Sequence, residues 1–493
     1  MSFAVVGYFA FLLIGLVLYY VLPKKIRWIW LLALSYIYYF TFSIKTSIYM
    51  VFTTVVIYMG GIWLDKIITD SNAYITANKA SMSKEEKKAY KDKTKKRKRQ
   101  ALLVVLLLCF GQLAVIKYTD FAIENINSII SLFGGQNMIN LPKFALPLGI
   151  SFFTFQSASY IIDVYQGKYR CQNNVFKLGL FVSFFPQLLQ GPIGRYDRLS
   201  SQLYEGNSFE LKNVQYGLQR ICWGLAKKVI LADRAAVLVN MVFEDYDMYG
   251  GLLNIVAVLM YSVQLYMDFS GGIDVVIGTA QMFGITMDEN FRQPYFSKSI
   301  GEFWRRWHIT LGSWFREYVY IPLGGNRKGQ VRTIFNTFVV WALTGLWHGA
   351  SWNFVLWGII FFVLLTIEKS GFENILDRYK VLSHIYAMLI IPMSWIVFAL
   401  ENLSDIGLYF KRLFPIFGSS DVAFINTNDY KTALIQYGIF FLLAIVFSFE
   451  FPQKIYHKYK KTFVVNIVII IIFWLSVYRI MTSASNPFLY FRF

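Results

Sequence analysis

The chain has 493 residues, of which 56% are hydrophobic, 19% aromatic and only 16% charged, whereas soluble domains carry about 45–50% apolar and about 25% charged residues. That balance excludes disorder, collagen, coiled coil and an ordinary soluble enzyme, and leaves an all-α polytopic membrane protein. The 48 Lys/Arg exceed the 29 Asp/Glu by 19, an excess that reads as cytoplasmic loops facing anionic membrane lipid rather than as nucleic-acid binding.

At about 20 residues per span, about twelve spans use half of the chain, so about 11–13 transmembrane or re-entrant helices are expected within a single membrane domain, 1–493. The first ten residues, MSFAVVGYFA, have no basic n-region and no small-residue cleavage site follows before Pro23, so they open a retained first span. Apolar runs predict spans near Phe3 to Leu22, Trp28 to Phe42, Ser47 to Leu64 and Ala101 to Ile116. Lys24, Lys25 and Arg27 follow the first run, and the segment 79–99 carries eleven Lys/Arg. Both basic connections are assigned to the cytoplasm by the positive-inside rule, and the two crossings between them agree with that and put the N-terminus outside. Within this basic cytoplasmic loop, Lys84 to Arg99 reads as a solvated, partly helical hairpin, with anionic-lipid binding as the second reading.

From Leu141 to about Arg332 the hydropathy is broken by polar, Gly and Pro residues, as in LPLGISFFTFQSASYIIDVY, FVSFFPQLLQGPIGRYDR and VQLYMDFSGGIDVVIG. Irregular or polar backbone survives at membrane depth only when buried in protein or lining a watery cavity. This middle third is therefore the candidate functional centre, and the core that carries it is expected within 141–360. Ordinary spans return near Thr337 to Trp347, Val355 to Ile367, Ile385 to Leu400, Leu434 to Phe449 and Val464 to Tyr478, so that 385–493 reads as C-terminal helices. Cys109, Cys171 and Cys222 lack CxxC spacing, which gives neither a disulfide framework nor a metal site.

Soluble-enzyme signatures are missing: there is no GxSxG elbow, HExxH, Walker A or GxGxxG. Of the four histidines, His384 and His457 fall at span edges. His348 lies in WALTGLWHGASWNFVLWG beside Gly345, Gly349, Ala350 and Ser351. Sixteen helical residues beyond Arg332 place it about 24 Å along the axis, still inside a hydrocarbon layer of roughly 30 Å. Such an imidazole is either a satisfied packing residue or a general base. His308 lies in SKSIGEFWRRWHITLGSWFREYVYIPLGGNRKG, where Trp304, Trp307 and Trp314 alternate with Arg305, Arg306 and Arg316. That segment reads as a headgroup-level amphipathic helix. The following Asn326, Arg327 and Lys328 form either a cytoplasmic turn or, with Gly324 and Gly325, a phosphate nest. Gln264 and Asp268 share a helix face. The carboxylate among Tyr, Met and Phe is expected to pair with Arg292, Arg305 or Arg306, as a structural ion pair or a catalytic acid. Arg195, in PQLLQGPIGRYDR, carries the same two readings.

Taken together, LPLGISFFTFQSASYIIDVY, FPQLLQGPIGRYDRL, GLAKKVILAD, YMDFSGGIDVVIG, RRWHITLGSWFREYVYIPLGGNRKG, LWHGASWNF and the terminal PFLYFRF resemble the membrane-bound O-acyltransferase superfamily. Within it they are most similar to the bacterial alginate O-acetyltransferase type. The sequence departs from that type in LWGIIFF and WIVFALEN, positions associated with acceptor contacts. The resemblance implies a multi-helix fold with a funnel or tunnel, in a bacterial cytoplasmic membrane. His348 matches the family's invariant histidine and His308 the second motif histidine. Trp347 and Asn353 flank the first of these; they and Arg305, Arg306, Arg316, Asn326, Arg327, Lys328 and Asp268 are candidate substrate or donor contacts.

No bound cofactor is implied. The donor that the resemblance implies is acetyl-CoA or another acyl thioester, free or on a cytosolic acyl-carrier protein. The acceptor that it implies is a polysaccharide, reached directly or through an extracytoplasmic acetyltransferase partner. His348 would deprotonate the acceptor hydroxyl, with His308 and the arginines positioning the thioester or stabilising its oxyanion. Ser313 and Ser351 stand in no activating context for an acyl enzyme. The rival functions are D-alanyl transfer to teichoic acid from a carrier protein, and polysaccharide or solute transport.

Overall fold

The computed structural model describes residues 6–135, 138–142, 144–249, 251–413 and 429–482. The PFLYFRF motif lies outside the described residues. Among these residues every extended element is helical, and the sole β feature is one isolated antiparallel bridge between Phe291 and Trp307. Seven helices are long and apolar enough to cross a membrane: Ser47–Ala77, Lys84–Leu132, Gly251–Met282, Trp352–Arg378, Lys380–Ala399, Asp429–Ser448 and Phe463–Thr482. The shorter Gly7–Val21 is also apolar. The chain is a multi-pass, all-α membrane protein.

Exposure follows the solvent that the bilayer supplies. Large apolar side chains such as Leu107, Ile435 and Val464 face outward, which water would penalise and lipid does not. Phe463–Thr482 has only 6% of its apolar window buried, against 72% for Gly251–Met282. The former is a peripheral helix and the latter a central one.

Contacts divide the chain into two units. The first comprises Phe9–Asn213 with Ala280–Met287, the second Val214–Thr279 with Asp288–Phe493. In the first unit the basic 79–99 segment proves more regular than a hairpin loop. Ser83 opens a 49-residue helix, Lys84–Leu132, with a capping box: Glu86 N–H donates to Ser83 Oγ at 3.1 Å, and Ser83 N–H donates to Glu86 Oε2 at 2.8 Å. The basic half of this helix runs back along Ser47–Ala77, with Tyr74 stacked on Tyr90 at 4.4 Å and Ser71 bonded to Thr94 at 3.1 Å. At 1.5 Å per residue it extends about 74 Å, more than twice the hydrocarbon thickness.

In the second unit, glycines let backbones meet. A Cβ on Gly224 would lie 2.4 Å from the Gly271 carbonyl oxygen, and one on Gly278 2.6 Å from the Gly217 oxygen. Seven residues separate the glycines on each helix, so Leu211–Ala226 and Gly251–Met282 run side by side, antiparallel, along two contact points. A second close pair joins Gln330–His348 to Trp352–Ile367, where a Cβ on Gly345 would lie 2.4 Å from the Phe354 oxygen and one on Gly358 2.5 Å from the Trp341 oxygen. Small residues that allow close helix approach are a usual device in lipid, where apolar surface alone gives no driving force for association.

Candidate active site

His308 is the hinge between two seven-residue helices, Ile300–Arg306 and Ile309–Phe315. Its φ is +48°, in the left-handed region that a side chain occupies only when its surroundings impose it. Asn290 and Arg292 do so. Arg292 N–H donates to the Arg306 oxygen and Ile309 N–H to the Asn290 oxygen, each at 3.0 Å. The Asn290 side-chain oxygen accepts from both the N–H and the hydroxyl of Thr310 at 3.0 Å. The imidazole is 2% exposed, and among the described residues neither ring nitrogen meets a partner in another residue at hydrogen-bond geometry. Burial pushes its pKa down to about 3, so at neutral pH the ring is uncharged, with one nitrogen able to donate and the other to accept.

His348 is the last residue of Gln330–His348, and Gly349 follows it in an extended conformation. A Cβ on Gly349 would lie 2.1 Å from the Phe354 ring, so only glycine lets the chain turn into Trp352–Ile367 here. The half-buried His348 ring lies against Trp347 at 4.8 Å, Trp357 at 5.1 Å and Phe398 at 5.2 Å. The Trp347 indole also meets His308 at 5.6 Å. One aromatic ring thus touches both imidazoles.

The two histidines line a single cavity of about 30 Å³ together with Asp268, Leu265, Phe269, Trp304, Trp307, Trp347, Trp357, Trp395 and Phe398. On this scale it holds on the order of one or two waters. Among the described residues the indole N–H groups of Trp304 and Trp357 are buried without an acceptor, a donor set that sequence reading missed because Trp304 patterns as a membrane anchor and Trp357 as part of an apolar span.

Asp268 has a different partner from the arginines expected. Its carboxylate is bound by Lys228 at 2.6 Å, and Lys228 also reaches Asp233 at 2.9 Å. The backbone contact at Gly224 and Gly271 sets Lys228 beside Asp268, while Arg305 is exposed and Arg306 is tied to Glu302 at 2.6 Å. Next along the same helix Lys227 binds Asp274 at 2.6 Å, and Arg220 bridges Asp274 at 3.0 Å and Glu289 at 2.6 Å. The KK of GLAKKVILAD was thus the missed signal, two adjacent lysines each paired to a carboxylate of one helix.

The remaining candidates lie apart from the cavity. Arg316, Asn326, Arg327 and Lys328 are exposed. Asn326 accepts from the Tyr320 hydroxyl. The amides of Gly324, Gly325 and Arg327 donate to the Ile321, Tyr320 and Gly324 oxygens, which closes these three as turn bonds. Asn353 is fully buried and donates to the Val397 and Phe398 oxygens at 3.3 Å; it positions Phe398, which packs on His348. Ser313 gives its proton to the Thr310 oxygen and Ser351 to Asn353, so neither serine is paired with a histidine in these contacts. Arg195 belongs to the first unit, at the start of Tyr196–Tyr204.

Comparison with known proteins gives a coherent set. The family described as MBOAT, membrane-bound O-acyltransferase, matches residues 173–402, a range that contains both histidines. The probable alginate O-acetylase of Azotobacter vinelandii is 32% identical over 98% of this chain and 98% of its own length, and that of Pseudomonas putida is 34% identical over 77% and 82%. A peptidoglycan O-acetyltransferase of Helicobacter pylori is 28% identical over 98% and 96%.

Proposed function

The chain belongs to the membrane-bound O-acyltransferase family, and we propose that it transfers an acetyl group from a cytosolic thioester to a hydroxyl of an exported or cell-surface polysaccharide. The donor is acetyl-CoA or an acyl-carrier thioester; the acceptor is reached directly or through an extracytoplasmic partner. One observation carries this reading: two histidines 40 residues apart in sequence, His308 and His348, line one small cavity inside an apolar, aromatic wall. A CoA-sized, charged donor cannot cross a bilayer, but an acetyl group presented at such a constriction can be met from the other side.

In the proposed reaction His348 takes the proton of the acceptor hydroxyl as its oxygen attacks the thioester carbonyl carbon. The tetrahedral intermediate then expels the thiolate, the C–S bond breaks, and the imidazolium returns the proton to sulfur. Neutral His308 supplies an N–H to the carbonyl oxygen as it becomes negative, a service that the buried indole N–H groups of Trp304 and Trp357 are suited to share. The Asp268 carboxylate on the cavity wall favours the transient imidazolium. The exposed Arg327 and Lys328 attract donor phosphates.

General acid–base catalysis is typically worth about 10²–10⁴-fold. Purified His348→Ala protein should therefore lose at least about 10²-fold in acetyl transfer while remaining folded. Near wild-type acetylation of the glycan by that variant would remove His348 from the chemistry and return the protein to a transport or scaffolding role.

A further inference from the structure

The first unit holds a groove of about 710 Å³ that the acyl-transfer reading does not use. Its walls are one face of Arg27–Phe40 (Trp28, Leu32, Ala33, Tyr36), Thr54 of Ser47–Ala77, and Phe176 and Gly179 of Val175–Ser183. The volume is within the range of about 300–1,000 Å³ typical of ligand sites. Thr54 spends its hydroxyl on the Met50 oxygen at 2.9 Å, and Gly179 keeps the floor low, since a Cβ there would be no nearer than 3.7 Å to Thr54 and 3.9 Å to Leu32. Trp28 to Tyr36 spans about 12 Å of helix axis. The groove is thus apolar along this length.

One end is cationic. The Lys177 ammonium lies over the Trp28 ring at 5.6 Å and over Tyr204 at 5.3 Å. Its helix is fixed there by Asn174, whose side-chain oxygen accepts from the Phe176 and Lys177 amides at 2.9 and 3.1 Å. Lys24 and Lys25 precede Trp28 in the chain, and both are exposed. Arg27, by contrast, is consumed by the Leu22, Tyr20 and Asn207 oxygens. Lys24 donates to the Ser208 hydroxyl at 2.7 Å. An apolar groove with the Lys177 ammonium at one end complements a single amphiphile. We propose that this groove holds an acyl chain of an anionic phospholipid, with the headgroup phosphate at the Lys177 end.

The test uses the full chain reconstituted in vesicles of equal parts phosphatidylcholine and phosphatidylglycerol, the latter carrying a photoactivatable diazirine in its acyl chain. Illumination followed by peptide mass spectrometry should place lipid adducts on the Trp28–Tyr36 and Val175–Gly179 segments. Gly179→Phe, which fills the channel, should abolish those adducts and spare adducts elsewhere, as should Ala33→Phe from the opposite wall if the first variant folds poorly. Lys177→Gln should keep the channel and reduce the preference for phosphatidylglycerol over phosphatidylcholine roughly fivefold, the change that about 1 kcal/mol per basic residue converts to. Adducts unchanged by both groove-filling variants, adducts absent from these segments, or occupancy of the groove by a co-purified protein helix would each overturn the lipid assignment. Acetyl transfer by His348 is not read in any arm.

Discussion

At the residue scale the Asp268–Lys228 pair separates a structural from a chemical role. Lys228 holds two carboxylates, Asp268 at 2.6 Å and Asp233 at 2.9 Å. In Asp268→Asn the ammonium keeps Asp233, so the fold should persist, while kcat falls and donor KM stays unchanged, because the carboxylate acts on the transient imidazolium alone. Lys228→Met instead leaves the Asp268 carboxylate buried without its ammonium, at a cost of about 3–5 kcal/mol. Combining Asp268→Asn with Lys228→Met should restore part of the lost thermal stability, and a double variant no more stable than Lys228→Met would refute the coupling. His308 carries a pH signature of its own. Its folded pKa, about 3, is below the usual value near 6.5, so the unfolded chain takes up this proton first as pH falls. The stability contribution is complete above about pH 6.5 and is lost progressively toward pH 3. Thermal unfolding in detergent should accordingly show a steeper acid loss for wild type than for His308→Gln. Both histidines were legible in the sequence, since few histidines in an apolar chain each demand an explanation. The ion pair was not, because which cation reaches a buried carboxylate depends on helix contacts that no local pattern encodes.

At the element scale the position of His348 is inherited from a helix hairpin. Gly358 admits no Cβ without pushing the Trp341 carbonyl oxygen, 2.5 Å away, and backbone does not yield as a flexible side chain would. Gly358→Ala should therefore displace Trp352–Ile367, whose Trp357 packs on His348, against Gln330–His348. Misplacement of about 1 Å can cost about 10²-fold in rate, so kcat should fall well beyond the loss of stability. Gly111 makes the contrast: nothing lies within 4 Å of a Cβ there. Gly111→Ala should raise stability by about 0.5–1 kcal/mol and leave activity alone. Parallel Tm and kinetic measurements on the two variants check both. The sequence placed this span at Thr337 to Trp347, and the observed helix starts earlier, at Gln330. Its first turns are polar because they carry Arg332, whose Nε donates to the Leu323 oxygen at 2.9 Å and ties the preceding turn to the helix. Hydropathy registers the apolar stretch of a helix and misses such a polar extension, as it also missed that the basic 79–99 segment continues the helix behind it.

At the scale of the whole molecule the charge distribution predicts a testable orientation. Composition sufficed for the all-α membrane class, because a chain with 56% hydrophobic and 16% charged residues can satisfy its backbone in lipid only through helices or closed barrels, and its apolar runs have helical lengths. Orientation needs the basic residues. Lys24, Lys25 and Arg27 follow the first apolar helix, and the basic half of Lys84–Leu132 pairs with the end of Ser47–Ala77. Translocating eleven Lys/Arg would be opposed by the rule that retains short basic segments in the cytoplasm, so the 79–99 segment should face the cytosol, on the side of the thioester donor. The three native cysteines, Cys109, Cys171 and Cys222, are buried and give a low labelling background. Lys88→Cys should thus resist a membrane-impermeant maleimide in intact cells and react once the cells are permeabilised. Ready labelling of intact cells would invert the assignment. A separate measurement is kinetic: neutralising Arg327 and Lys328 together should raise donor KM more than it lowers kcat, because contacts with donor phosphates are made equally in the ground and transition states. An unchanged KM would reduce the loop to the turn that its backbone hydrogen bonds already describe.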